Sequence, residues 1–337
     1  MGNNQRYLIS ITIIILLALC LVTLTVKIQE AYASNEKYQN TNHALIDMEG
    51  ITKVSRSNDV DAPLSDASNC PINATFNHTK YVRLASVGDT DVNEGTEEQF
   101  QMMKDCGIQI HVITGNLWYD KSSNEWFSLA EDKGLTPNNT NIAVGNHDSK
   151  GEQIKKWLGE KSTWNLKSFA NGKVDVCTIN SNSSPDSDFV FKSGSAQFND
   201  IKNKLNQSDA LYKIYAIHHP FMTAKSTYPN NGAFDDYHPI FKSTGVGIIL
   251  QAHNHNYQRF QPVDDILYFV TGTGTRDTGS DLYPLDSDND GNGHKLERGK
   301  RVNGITIIDL QIDNPDEKHV KGWFISSDGQ ILDQFET

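Results

Sequence analysis

Five short clusters in this chain carry side chains that bind metals or move protons. They are Gly88-Asp89-Thr90-Asp91, Gly115-Asn116-Leu117-Trp118-Tyr119-Asp120, Gly145-Asn146-His147-Asp148, His218-His219-Pro220 and Ala252-His253-Asn254-His255. Five of the eleven histidines fall in them, a concentration that scattered surface histidines would not give. Imidazole and carboxylate together suit zinc, iron or manganese, whereas carboxylate alone suits calcium or magnesium. His253 and His255 are two residues apart, so on an extended stretch their side chains share one side. Asn146 adds an amide oxygen. Taken singly, His-His-Pro or Gly-Asn-His-Asp reads as an ordinary turn. The ordered set of five does not.

Each cluster follows a short apolar run, and those runs must position it. They are Tyr81–Val87, Ile108–Thr114, Asn141–Val144, Leu211–Ile217 and Gly245–Leu250, with a sixth at Ile266–Thr271. All are of strand length and rich in β-branched residues. Helical spacing marks 97–106, which Gly107 stops, and 195–207, where Phe198, Ile201 and Leu205 recur at three and four residues. Strands alternating with helices predict an α/β domain. Ligand sites in such sheets lie beyond the carboxyl ends of the strands, so the five loops are expected to meet at one edge.

In this order the clusters resemble the calcineurin-like metallophosphoesterases, and within them the purple acid phosphatase-like group. That family's pattern runs Gly-Asp, Gly-Asp-x-x-Tyr, Gly-Asn-His-Asp/Glu, His-x-Pro and Gly-His-x-His. Tyr257-Gln-Arg259, Phe269 to Gly274 and the tail Gly322 to Asp333 are similar as well. The resemblance covers about residue 80 to the end. It implies a four-layer α/β/β/α sandwich over 80–337 and a site for two transition metals, Fe, Zn or Mn. Asp89, Tyr119 and His255 would hold one metal, and Asn146, His218 and His253 the other. The position of Asn116 would carry the bridging ligand. The implied activity is hydrolysis of small-molecule phosphomonoesters by attack of a metal-bound hydroxide. His147, steadied by Asp148, would protonate the leaving oxygen.

The chain departs from the family at Asn116, where aspartate is usual. A neutral amide supplies neither the charge nor the two equivalent oxygens of a bridging carboxylate, so weaker binding of at least one metal is expected. Asp91 or Asp120 could compensate. The departure supports another reading, a degenerate, non-catalytic surface domain that binds calcium and a transition metal; a phosphodiesterase on the same scaffold is a further alternative, because substrate choice lies in the loops. Ala252 replaces the usual glycine before the last histidine pair. His219, at the variable place of His-x-Pro, is expected to pack or touch substrate rather than ligate. Tyr228–His238 is a candidate substrate loop.

A second motif, Asp286-Ser-Asp288-Asn-Asp290-Gly291-Asn292 through Glu297, matches the calcium loop D-x-D-x-D-G-x5-E. Its spacing offers oxygens from Asp286, Asp288 and Asp290, a backbone carbonyl at Asn292 and a bidentate carboxylate from Glu297. The flanks do not read as helices, so a lone structural Ca²⁺ loop inserted at 286–297 is the expectation, not an EF-hand pair.

The amino terminus reads as a membrane address. Leu8 to Val26 is 19 residues without charge, about long enough to span as a helix. Ala31-Tyr32-Ala33 would suit signal peptidase. Residues 1–33 are therefore a cleaved signal or a transmembrane anchor, and 34–79 a polar linker. Either leader puts the rest outside the cytoplasm, and Asn-x-Ser/Thr sites at Asn73, Asn77, Asn138, Asn182 and Asn206 agree. Cys70, Cys106 and Cys177 follow the leader, so at most one internal bridge and one free thiol are possible. The 337 residues carry a net charge of −12, which argues against binding to nucleic-acid duplexes.

Overall fold

The structure is a computed structural model that describes residues 69–72, 76–119, 121–182, 193–224, 232–275, 285 and 287–337. The apolar run 8–26, most of the linker, Asn73, Asp120 and Asp286 lie outside the described residues. Among the described residues no helix is long and apolar enough to cross a membrane.

Among the described residues thirteen strands form in chain order. They are β1 (Tyr81–Val87), β2 (Ile110–Ile113), β3 (Thr140–Ile142), β4 (Asn165–Phe169), β5 (Val174–Thr178), β6 (Tyr212–Ala216), β7 (Val246–Gln251), β8 (Tyr257–Phe260), β9 (Leu267–Thr271), β10 (Leu296–Lys300), β11 (Gly304–Gln311), β12 (Val320–Ser326) and β13 (Ile331–Glu336). One sheet runs β13-β12-β11-β1-β2-β3 and the other β10-β8-β9-β7-β6-β5-β4. The strands that carry the clusters pair in parallel: β1 with β2, β2 with β3, and β6 with β7. Their carboxyl ends therefore point the same way within each sheet.

Alternation along the strands divides the apolar side chains between two faces. Leu84, Val112, Ile214, Leu250 and Phe269 meet in a core between the sheets. Ala85, Val87 and Ile113 turn outward under α1 (Glu94–Asp105), α2 (Ser123–Asp132) and α3 (Glu152–Leu158). Tyr215, Ile249 and Val270 turn outward under α4 (Ala196–Gln207) and α5 (Phe234–Thr244). The order is helix, sheet, sheet, helix. The helices start where local chemistry allows. Asn93 accepts from the Thr96 N–H, Ser122 and Glu125 form a capping box, and Ser195 accepts from the Phe198 N–H.

Two boundaries differ from expectation. The folded unit begins before residue 80, because Cys70 is bonded to Cys106 and Ile72 is buried against the α1 side of the first sheet. Cys177 is the buried free thiol. The stretch expected as a substrate loop is helical from Phe234, since Phe234, Tyr237 and Phe241 lie on one helix face and pack on the second sheet.

His111 on β2 is buried, and its Nδ1 has no partner. Burial pushes it down to about 3 from the usual 6.5. The unfolded chain takes up this proton below about pH 6.5, while the folded chain refuses it until about pH 3. Stability is thus complete above about 6.5 and declines as pH falls. Between pH 7 and pH 5 this one group should cost about 2 kcal/mol. Denaturant unfolding of His111→Leu at both pH values should show a decline smaller by that amount. Equal declines in variant and wild type would rule the effect out.

Candidate metal centre

All five clusters leave their strands at the carboxyl edge, and three of the candidate ligands sit there in the left-handed backbone region. Asp89 has φ 55°, Asn116 φ 56° and His253 φ 68°. Asp, Asn and His tolerate this region better than most side chains, and such strain gathers at functional sites. Close approach is enforced by glycine. A Cβ on Gly145 would collide with the Asn116 side chain, and one on Gly272 would stand 2.7 Å from Asp89 Oδ2.

The first expected ligand set converges on one oxygen. Asp89 Oδ1 accepts from the Tyr119 hydroxyl at 2.9 Å and lies 3.4 Å from His255 Nε2. Burial alone would push Asp89 up, but His255, His218 and His253 beside it hold it far below the ordinary carboxylate range. The second set converges too. Asn146 Oδ1 lies 3.0 Å from His218 Nε2, and His253 Nδ1 lies 3.2 Å from the same nitrogen. Burial lowers His218 to about 4 and also lowers His253, so both imidazoles are neutral and have lone pairs to offer.

Asn116 stands between the two sets, where the bridging ligand was expected. Its Nδ2 donates toward Asp89 Oδ1 at 3.0 Å, Tyr119 Oη at 3.1 Å and Asn146 Oδ1 at 3.3 Å. Its Oδ1 accepts from the His147 backbone N–H at 2.9 Å. That last bond fixes which end of the amide faces the ligands, because a backbone N–H can only donate. The face presented to a metal therefore carries hydrogens, not lone pairs.

Asp148 and His219 take places the sequence did not foretell. Asp148 does not orient His147. Its carboxylate accepts from the backbone N–H groups of Asn116, Leu117 and Gly145 at 2.7–2.8 Å. Burial pushes Asp148 up to about 7, and the same three N–H groups oppose the rise. His147 is exposed at the mouth, its ring 4.5 Å from the Tyr119 ring. Asp91 accepts from the Val92 and Tyr119 N–H groups and serves its own turn. His219, read as a packing residue, sits with His218 and His253 so that one nitrogen from each lies within 4.8 Å of the others. Burial drives His219 down to about 2.

Of the calcium-loop candidates Asp286 lies outside the described residues, and the others have partners within the protein. Glu297 lies on β10 and accepts from Arg259 at 2.6 Å, and Asp290 pairs with His294 at 2.7 Å. Asp288 is exposed and accepts from its neighbour Asn289, and Asn292 N–H donates to Asp290. Among the described residues the His218, His219 and His253 group is the one set of three such ligands in mutual reach. Arg259 needs Glu297 and Asp333 to neutralise it where the two sheets meet.

No protein-family model matches the sequence, and no curated protein is similar to it. Solved structures are. A purple acid phosphatase from yellow lupin (Lupinus luteus) seeds superimposes with a TM-score of 0.54 at 16% identity. The match spans 76% of this chain and 53% of that one. The fold is that of the calcineurin-like metallophosphoesterases. A protein titled GAP50, the anchor in the inner membrane complex of Plasmodium, superimposes with a TM-score of 0.55 at 17% identity, over 76% of this chain and 88% of its own. The metallophosphoesterase fold places both ligand sets at one edge, and the residues present fit metal in each set except at Asn116.

Proposed function

We propose that this chain is an extracytoplasmic, metal-dependent phosphoesterase that hydrolyses phosphomonoesters, tethered or exported through residues 1–33 and spaced from its leader by a polar linker. The observation that carries this reading is the convergence of Asp89, Tyr119 and His255 beside Asn146, His218 and His253, with His147 exposed at the same mouth. Asp89, Tyr119 and His255, with Asn146, His218 and His253, would hold transition ions, which when bound would offset charge on the phosphoryl oxygens and lower the pKa of water. His147 stands where a leaving oxygen can take its proton, and the Tyr119 ring beside it limits how the imidazole turns. The Cys70–Cys106 disulfide and the exposed acceptor residues Asn77, Asn138 and Asn206 support the compartment.

The test is aryl-phosphate hydrolysis by the full-length chain across pH, with Zn, Mn or Fe supplied. Turnover is expected, and His147→Ala should lower kcat by about 100-fold or more with bound metal unchanged. Absence of turnover with every metal would sink the reading. The amide hydrogens of Asn116 favour a second reading, a non-catalytic surface module that binds metal without hydrolysing anything.

A further inference from the structure

We propose that His219 is a metal ligand, and that this chain holds one zinc-type ion between His218, His219, His253 and the side-chain oxygen of Asn146. The inference deepens the metal-site reading above and rests on it. It adds a ligand outside the expected six and fills one site in place of two.

The argument runs from hydrogens to lone pairs. His218 Nδ1 lies 2.9 Å from the Thr114 carbonyl, which can only accept, so Nδ1 carries the proton. In the neutral ring Nε2 then presents a lone pair. That lone pair faces Asn146 Oδ1 at 3.0 Å. Asn146 is not free to turn its amide hydrogens there. Its oxygen is already opposite the Asn116 Nδ2, whose own orientation the His147 N–H fixes. A metal ion beside them would be held by both atoms. The separations suit one. An ion with four tetrahedral bonds of 2.0–2.1 Å keeps its ligand atoms about 3.3 Å apart, close to the 3.0 Å and the 3.2 Å from His253 Nδ1 to the same nitrogen.

The third imidazole closes the group. The ring centres of His218, His219 and His253 form a triangle with sides of 5.0, 5.1 and 4.5 Å. Ser181 Oγ meets His219 Nδ1 at 2.8 Å and also accepts from the His219 N–H, which holds the ring in place. Such an outer contact is what orients metal-bound imidazole. Three imidazoles and one neutral oxygen favour zinc over the hard, oxygen-seeking ions. This set needs no bridging carboxylate, so Asn116 does not weaken it.

The test uses the full-length chain loaded with zinc alone. Elemental analysis after dialysis should give about one zinc per chain, and X-ray absorption should show three imidazoles around it. His219→Ala should weaken zinc binding by about 100-fold or more, beyond the usual worth of an outer contact. His319→Ala, at a histidine outside both ligand sets, should leave it nearly unchanged. Two imidazoles in the absorption spectrum, or equal zinc affinity in His219→Ala and wild type, overturns the proposal. The spectrum is read on the wild-type chain, so it stands even if the variant does not fold. Zinc held by three imidazoles without aryl-phosphate turnover supports this site and defeats the phosphoesterase reading. Turnover with zinc held by two does the reverse.

Discussion

Asn116→Asp is expected to raise the affinity for a second divalent ion and the aryl-phosphate turnover together, each by about 100-fold or more, equivalent to about 2.7 kcal/mol. In the wild type the amide hydrogens point at Asp89 Oδ1, Tyr119 Oη and Asn146 Oδ1. An NH₂ group has no lone pair to give, and here it occupies the one place from which both ligand sets are reached. Aspartate would keep the bond from the His147 N–H through one oxygen and turn the other toward the ligands. The second ion then gains a charged ligand, and the phosphoryl oxygens gain a second positive neighbour. The same geometry predicts a cost. Without metal the new oxygen faces Asp89 Oδ1, so the metal-free variant should melt below the wild type and recover when zinc or manganese is added. The melting temperature with and without metal, set beside the bound-metal count and kcat, checks all three. If affinity and turnover both stay flat, the amide is not what limits the site, and the non-catalytic reading takes its place.

The parts of the fold legible in the sequence are those with one dominant cause. Strands β1, β6, β7 and β9 are paired on both edges and mostly buried, so they read as largely apolar runs interrupted by few polar residues such as Arg83 and Lys213, and the loops beyond them stand out by contrast. The candidate ligands sit on those loops, and their side chains lie close to one another. Strand β10 could not be read that way. Leu296-Glu-Arg-Gly-Lys300 has no apolar run, and it is held by pairing with β8 and by Arg259 across to Glu297. His219 gave no local signal because its role depends on how the β7 loop folds His253 back over it. The tie from Cys70 to Cys106 spans 36 residues, and three cysteines leave its pairing open until the chain is folded.

Asp148→Ala is expected to destabilise the chain by about 4 kcal/mol, a large share of the roughly 5–15 kcal/mol that a domain has in total. The cause is the backbone, not the reaction. Oδ2 accepts from the Asn116 and Gly145 N–H groups, and Oδ1 from the Leu117 N–H, all in a fully buried setting. Alanine leaves three donors without a partner where water does not reach, and each such orphan costs about 1–3 kcal/mol before the loops relax. Those loops carry Asn116, Tyr119 and Asn146, so both ligand sets loosen together. Asp148→Asn should cost less, about 2 kcal/mol, because its one remaining oxygen can keep two of the bonds while its NH₂ opposes the third. Denaturant unfolding measures both. The pair of variants also separates this role from the one the family pattern implied. A carboxylate that steadied His147 would, once changed to asparagine, shift the alkaline limb of the pH–rate profile, which the protonated His147 sets, and leave stability alone. Here the reverse is expected, because Asp148 touches three backbone N–H groups and His147 stands exposed at the mouth. A shifted limb with unchanged unfolding would return Asp148 to the catalytic machinery.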